Sequence, residues 1–80
     1  MPKRDFRLRM TDQLGNRSYI VRENGKVNYF SGSLVPLCLS NTFLHNAAEV
    51  KFALQDCAVG ASALQIVRKA APHNKIELLP

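Results

Sequence analysis

Apolar and polar residues alternate with a period of two near the start of this 80-residue chain. Phe6, Leu8 and Met10 take turns with Arg7 and Arg9, which predicts a strand with one apolar and one cationic face. Asp12-Gln13-Leu14-Gly15-Asn16 then supplies turn chemistry, because Gly and Asn tolerate positive φ. Two β-prone runs follow, Arg17 to Glu23 and Lys26 to Ser31, separated by Asn24-Gly25. That dipeptide is the strongest short-range hairpin signal, since a type I′ turn needs φ > 0 at both central residues. A two-residue turn sets the register: Glu23 faces Lys26, Val21 faces Asn28, and Tyr19 faces Phe30. The opening segment therefore reads as a three-stranded antiparallel meander.

Ser31-Gly32-Ser33 interrupts the alternation. Leu34 to Leu39 is apolar but broken by Pro36, which predicts an edge strand, a bent strand or an extended loop. Beyond Asn46 the period changes. Val50, Ala53, Leu54 and Cys57 recur at helical spacing, Ala48 and Phe52 widen that face, and Lys51, Gln55 and Asp56 form the polar side. Asn46 with Glu49 is a capping-box pair, Phe43 and Leu44 are placed to staple the entry, and Gly60 suits the residue that ends a helix. A helix from about Ala47 to Ala58 is the expectation.

Residues 62–71 admit two readings. Leu64-Gln65-Ile66-Val67-Arg68-Lys69 has a β-branched centre and favours a strand. Ser62-Ala63-Leu64-Gln65 is also a capping-box pattern, and Ala70-Ala71 before Pro72 suits a helix end. The strand is preferred at this point, with Pro72-His73-Asn74 as a turn and Ile76 to Leu79 as a short final strand. Residues 1–80 then form a single small α+β domain: an antiparallel β-meander with one helix packed on one face and one or two C-terminal strands.

Composition adds limits. At 46% hydrophobic and 21% charged residues, the chain has the make-up of a folded domain and not of a disordered tail. No apolar run approaches the roughly 18 residues of a membrane span. Met1-Pro2-Lys3-Arg4-Asp5 carries charge without a following apolar core, so no secretory signal and a cytoplasmic location are expected. Cys38 and Cys57 lie in apolar surroundings and read as reduced, buried thiols, with a disulfide as the less favoured reading. The net charge of +5 is uneven. Lys3, Arg4, Arg7, Arg9, Arg17, Arg22 and Lys26 stand against only Asp5, Asp12 and Glu23 in the meander, whereas the later residues are nearly balanced. Such a field suits nucleic acid or an acidic protein surface, and it also serves solubility alone.

Catalytic chemistry is sparse in this sequence. His45 and His73 are the only histidines. A Cys57–His45 dyad is formally available, but Cys57 falls on the apolar helix stripe, where a thiol is inert. Cys38, His45, Cys57 and His73 lack zinc-module spacing, the carboxylates are scattered, and the glycines form no phosphate loop. No enzyme activity, cofactor or metal is expected. The candidate binding surface is cationic: Arg7 and Arg9 on the first strand, with Arg17, Arg22 and Lys26 beside them. Tyr19, Tyr29 and Phe30 are available to interleave aromatic surface, as in single-strand binders. The competing reading is that the arginines merely solvate the outer sheet face while the aromatics pack under the helix.

The order Tyr19-Ile20-Val21, Asn24-Gly25, Tyr29-Phe30, Phe43, Ala47-Ala48 and Leu64-Gln65-Ile66-Val67 resembles that of small phage and mobile-element accessory proteins, anti-CRISPR inhibitors among them. The resemblance spans about residues 17–69 and lies in the shape of the pattern. It implies a protein that acts by binding a host protein or nucleoprotein complex in the host cytoplasm, and it assigns no functional residue. The alternative is a small basic nucleic-acid-binding module. A homodimer is a further expectation, with Leu34 to Leu39 as the surface hardest to bury within one copy.

Overall fold

The computed structural model describes residues 5–38, 46–57 and 60–80. Its β-strands are β1 (Phe6–Thr11), β2 (Arg17–Glu23), β3 (Lys26–Ser31), β4 (Pro36–Leu37) and β5 (Lys75–Leu79), and its helices are α1 (Ala47–Asp56) and α2 (Gly60–Ala70). The strands form one sheet in the order β4-β3-β2-β1-β5, and every neighbouring pair is antiparallel. The fold is α+β, as the sequence predicts, with a second helix beside the expected one.

The hairpin forms as its turn chemistry dictates. Asn24 and Gly25 have φ of 54° and 78°, and the pairs Glu23–Lys26, Val21–Asn28 and Tyr19–Phe30 all occur. The Asp5 carboxylate accepts from the Asn24 and Gly25 amides at 2.9 and 3.4 Å, tying this turn to the start of β1. The β1–β2 turn is organised by Asp12, whose carboxylate accepts from the Leu14 and Asn16 amides at 2.9 and 2.8 Å, while Gly15 takes φ 85°. The proline-broken segment supplies the short edge strand β4, where the missing proline N–H costs little.

Both helices lie on one side of the sheet, α1 over β3, and α2 over β5 and β1. Phe6, Leu8, Met10, Ile20, Val27, Tyr29 and Ile76 face them from the sheet, meeting Ala47, Val50, Leu54, Ala63 and Val67. Tyr29 donates its hydroxyl to the Ala47 carbonyl at 2.8 Å, and the Val27 amide donates to Gln55 Oε1 at 3.3 Å, which fixes α1 against β3.

Several expectations are corrected. Residues 62–71 are mostly helical, not a strand: Ala63 and Val67 are buried and Ile66 and Ala70 pack beside them, a helical stripe that outweighs the local β preference of Ile66-Val67. Gly60 opens α2 and does not end α1, which stops at Asp56 with Cys57 as its cap residue. Asn46 makes no side-chain capping bond. Phe52 and Ala48 point to solvent, so the buried stripe of α1 is narrower than predicted, and Ala53 and Cys57 on its flank are only half-buried. The two cysteines are not joined in a disulfide, but Cys38 is exposed. Leu39, Phe43, Leu44, His45 and Ala58 lie outside the described residues.

Candidate functional site

Strand alternation sends every second side chain to the sheet face opposite the described helices α1 and α2. Strand registers align these side chains into rows. The central row crosses all five strands as Glu77, Arg9, Tyr19, Phe30 and Pro36. On one side of it lie Lys75, Thr11 and Arg17. On the other lie Leu79, Arg7, Val21 and Asn28, and beyond them Glu23 and Lys26. Within the strands this open face carries Arg7, Arg9, Arg17, Lys26 and Lys75 against Glu23 and Glu77. It is a cationic surface with an aromatic pair near its middle.

The charged groups are unequally committed. Arg9 Nη2 donates to Glu77 Oε2 at 3.0 Å. That hydrogen bond, together with the attraction between the charges, raises the guanidinium pKa above its usual value. In return, hydrogen bonding to Arg9 holds the Glu77 carboxyl below the usual carboxylate range, and Lys75 and Arg17 add to this through their charge. Arg9 is thus oriented beside Tyr19. Arg7 reaches the Pro80 carbonyl at 3.4 Å, a long contact at an exposed site. Arg17, Lys26 and Lys75 are exposed.

Four of the five candidate residues share this face: Arg7, Arg9, Arg17 and Lys26. Arg22 does not. It pairs with Phe6, so it faces the helices, and it is 1% exposed. Its guanidinium lies 4.7 Å from the Phe6 ring centroid and Nη1 donates to the Leu54 carbonyl at 2.8 Å and to the Cys57 carbonyl. Those carbonyls belong to the C-terminal turn of α1, where acceptors lack intrahelical donors and the helix dipole favours a cation. Arg22 is therefore a structural cap for α1. Tyr29 is likewise on the helix side, and only Tyr19 and Phe30 of the three aromatics reach the open face.

Lys75 was missed by sequence reasoning. Its signal was the alternation Lys75, Ile76, Glu77, but only the pairing of β5 with β1 puts it on this face. The thiol of Cys57 donates to the Leu54 carbonyl at 3.3 Å and lies 3.6 Å from Arg22 Nη1. His73 is exposed in the turn before β5. Among the described residues, no group of three His, Cys, Asp or Glu side chains is placed to hold a metal ion, and no helix is long and apolar enough to cross a membrane.

A shallow depression of about 410 Å³ adjoins the open face at Arg7, Val21 and Leu79. Asp5 and Glu23 also line it, which makes its charge mixed. Comparison with known proteins gives no match to a family model, a curated protein or a solved structure.

Proposed function

We propose that this chain is a non-enzymatic binding protein whose open sheet face docks onto a partner of dense negative charge. The observation that carries the reading is the sidedness of the sheet. Both helices cover one face, and the other combines Arg7, Arg9, Arg17, Lys26 and Lys75 with Tyr19 and Phe30. Clustered cations on one face raise the local concentration of anionic partners and speed encounter. Two of the residues with nucleophilic or acid–base potential serve packing, Cys57 around Arg22 and Tyr29 in holding α1. An accessory factor that modulates a host protein or nucleoprotein complex, the role implied by the pattern resemblance, needs such a face and no catalytic group.

The test is capture from a bacterial lysate by the wild-type chain and by an Arg7→Glu, Arg17→Glu, Lys26→Glu variant. A partner retained by the first and lost by the second is the expected result. Equal recovery on both, or none on either, overturns the reading.

A further inference from the structure

We infer that the anionic partner of the open face is single-stranded nucleic acid, its bases stacked on Tyr19 and Phe30 and its backbone held by Arg7, Arg17 and Lys75. This inference rests on the reading of that face as the binding surface. Tyr19 and Phe30 are direct cross-strand neighbours, so both side chains rise from adjacent strands on the same face. Both are half-buried, which limits the side-chain freedom lost when a base settles on them. Arg9 continues the row, and its bond to Glu77 holds the guanidinium in place as a further planar surface. Cations flank this row on both sides, Arg17 and Lys75 on one and Arg7 on the other. Residues of adjacent rows on the same strand are about 7 Å apart, so a backbone running beside the stacked bases meets a cation on either flank.

The arrangement discriminates among polyanions. A single strand offers bare base faces together with one phosphate per nucleotide, and it uses rings and cations at once. A duplex keeps its bases stacked inside and leaves Tyr19 and Phe30 unused. The helices that would enter a groove lie on the far side of the sheet. An acidic protein surface engages the cations without requiring an aromatic row.

The experiment is a binding titration by anisotropy with a short labelled oligothymidylate and a duplex of equal length, using the full chain. The single strand should bind more tightly than the duplex. With three phosphate contacts, a fourfold rise in salt should weaken binding roughly twentyfold. Tyr19→Leu and Phe30→Leu keep apolar bulk on the sheet, and each should weaken single-strand binding about tenfold. Tyr19→Phe and Phe30→Tyr should retain it. Bound oligonucleotide should quench tyrosine emission in the wild type but not in Tyr19→Leu, whose remaining tyrosine, Tyr29, is buried. Duplex binding as tight as single-strand binding overturns the inference, as do leucine variants that bind like the wild type. Absence of oligonucleotide binding alongside protein capture that still depends on Arg7, Arg17 and Lys26 overturns the inference but leaves the proposed function standing.

Discussion

Arg22 is the residue at which a one-dimensional reading and the folded chain part most clearly. In sequence it is one more cation of a basic segment, two positions from the hairpin turn. In the fold it faces α1 and supplies donors to the Leu54 and Cys57 carbonyls. Truncation removes these bonds and leaves a void against Phe6, so Arg22→Ala should destabilise the domain by about 2–4 kcal/mol, measured by urea unfolding. Leu34 carries the opposite kind of signal. Its φ of 62° lies in the left-handed region and its side chain is 65% exposed, so little packing compensates the backbone cost. Leu34→Asn should therefore raise stability by about 0.5–1 kcal/mol in the same measurement. Burial pushes the Tyr29 phenol up to about 12 from its ordinary value of 10.0. A raised pKa means that the unfolded chain ionises first as pH rises. The stability contributed by the neutral phenol is complete below pH 10 and lost as pH climbs towards about 12. Tyr29→Phe should remove this part of the alkaline loss, read as the difference between the two proteins' melting curves across that window.

At the scale of elements, the contacts that hold α1 include Val50 and Leu54 in the core, Gln55 to the Val27 amide, Tyr29 to the Ala47 carbonyl, and Arg22 at its C-terminal turn. Leu54 is 0% exposed, so Leu54→Asp buries a carboxylate in an apolar site. The cost is several kcal/mol, comparable with the total stability of a domain this small, and circular dichroism should show an unfolded chain at room temperature. Arg9→Ala, on the open face, should melt close to wild type. The reverse ordering would mean that core and surface are misassigned. α1 was readable because its apolar spacing and its start agree. α2 was not, because Leu64-Gln65-Ile66-Val67 has strand propensity and helical spacing together. The helix prevails because Ala63 and Val67 find a sheet to pack on, and propensity yields to such burial.

The sheet separates its chemistry by face, with an apolar core and a buried arginine under the helices and Arg7, Arg9, Arg17, Lys26 and Lys75 on the open face. Crowded like charges repel, and salt screens them. Added salt should therefore raise the melting temperature of the wild type more than that of the Arg7→Glu, Arg17→Glu, Lys26→Glu variant. Acid acts in the opposite sense. Arg9 holds the Glu77 carboxyl below its ordinary value of 4.5, so the stability of that pair is present above the unfolded value and is lost as pH falls through the folded one. Glu77→Gln should flatten this part of the acid limb of a stability–pH curve. A second copy pairing along a sheet edge remains a proposal at this scale, and a monomeric mass by light scattering at micromolar concentration would remove it.

Local chemistry alone determined the meander. Asn24-Gly25 admits few other turns, its two-residue length sets the β2–β3 register, and period-two alternation sorts Phe6, Leu8 and Met10 from Arg7 and Arg9. The apolar stripe through Val50 and Leu54 determined α1 in the same way, since these preferences act within a few residues. Only tertiary structure decided which face of β2 turns inward. That depends on pairing Arg22 with Phe6, a contact across the Asp12–Asn16 turn, and not on any property of Arg22 itself. Only tertiary structure brought Lys75 and Glu77 to the open face as well, because β5 joins β1 from the far end of the chain. The aromatic row with its flanking cations is assembled from such long-range pairings. No local run of residues encodes it, because neighbours in the row are brought together by strand register and not by sequence spacing.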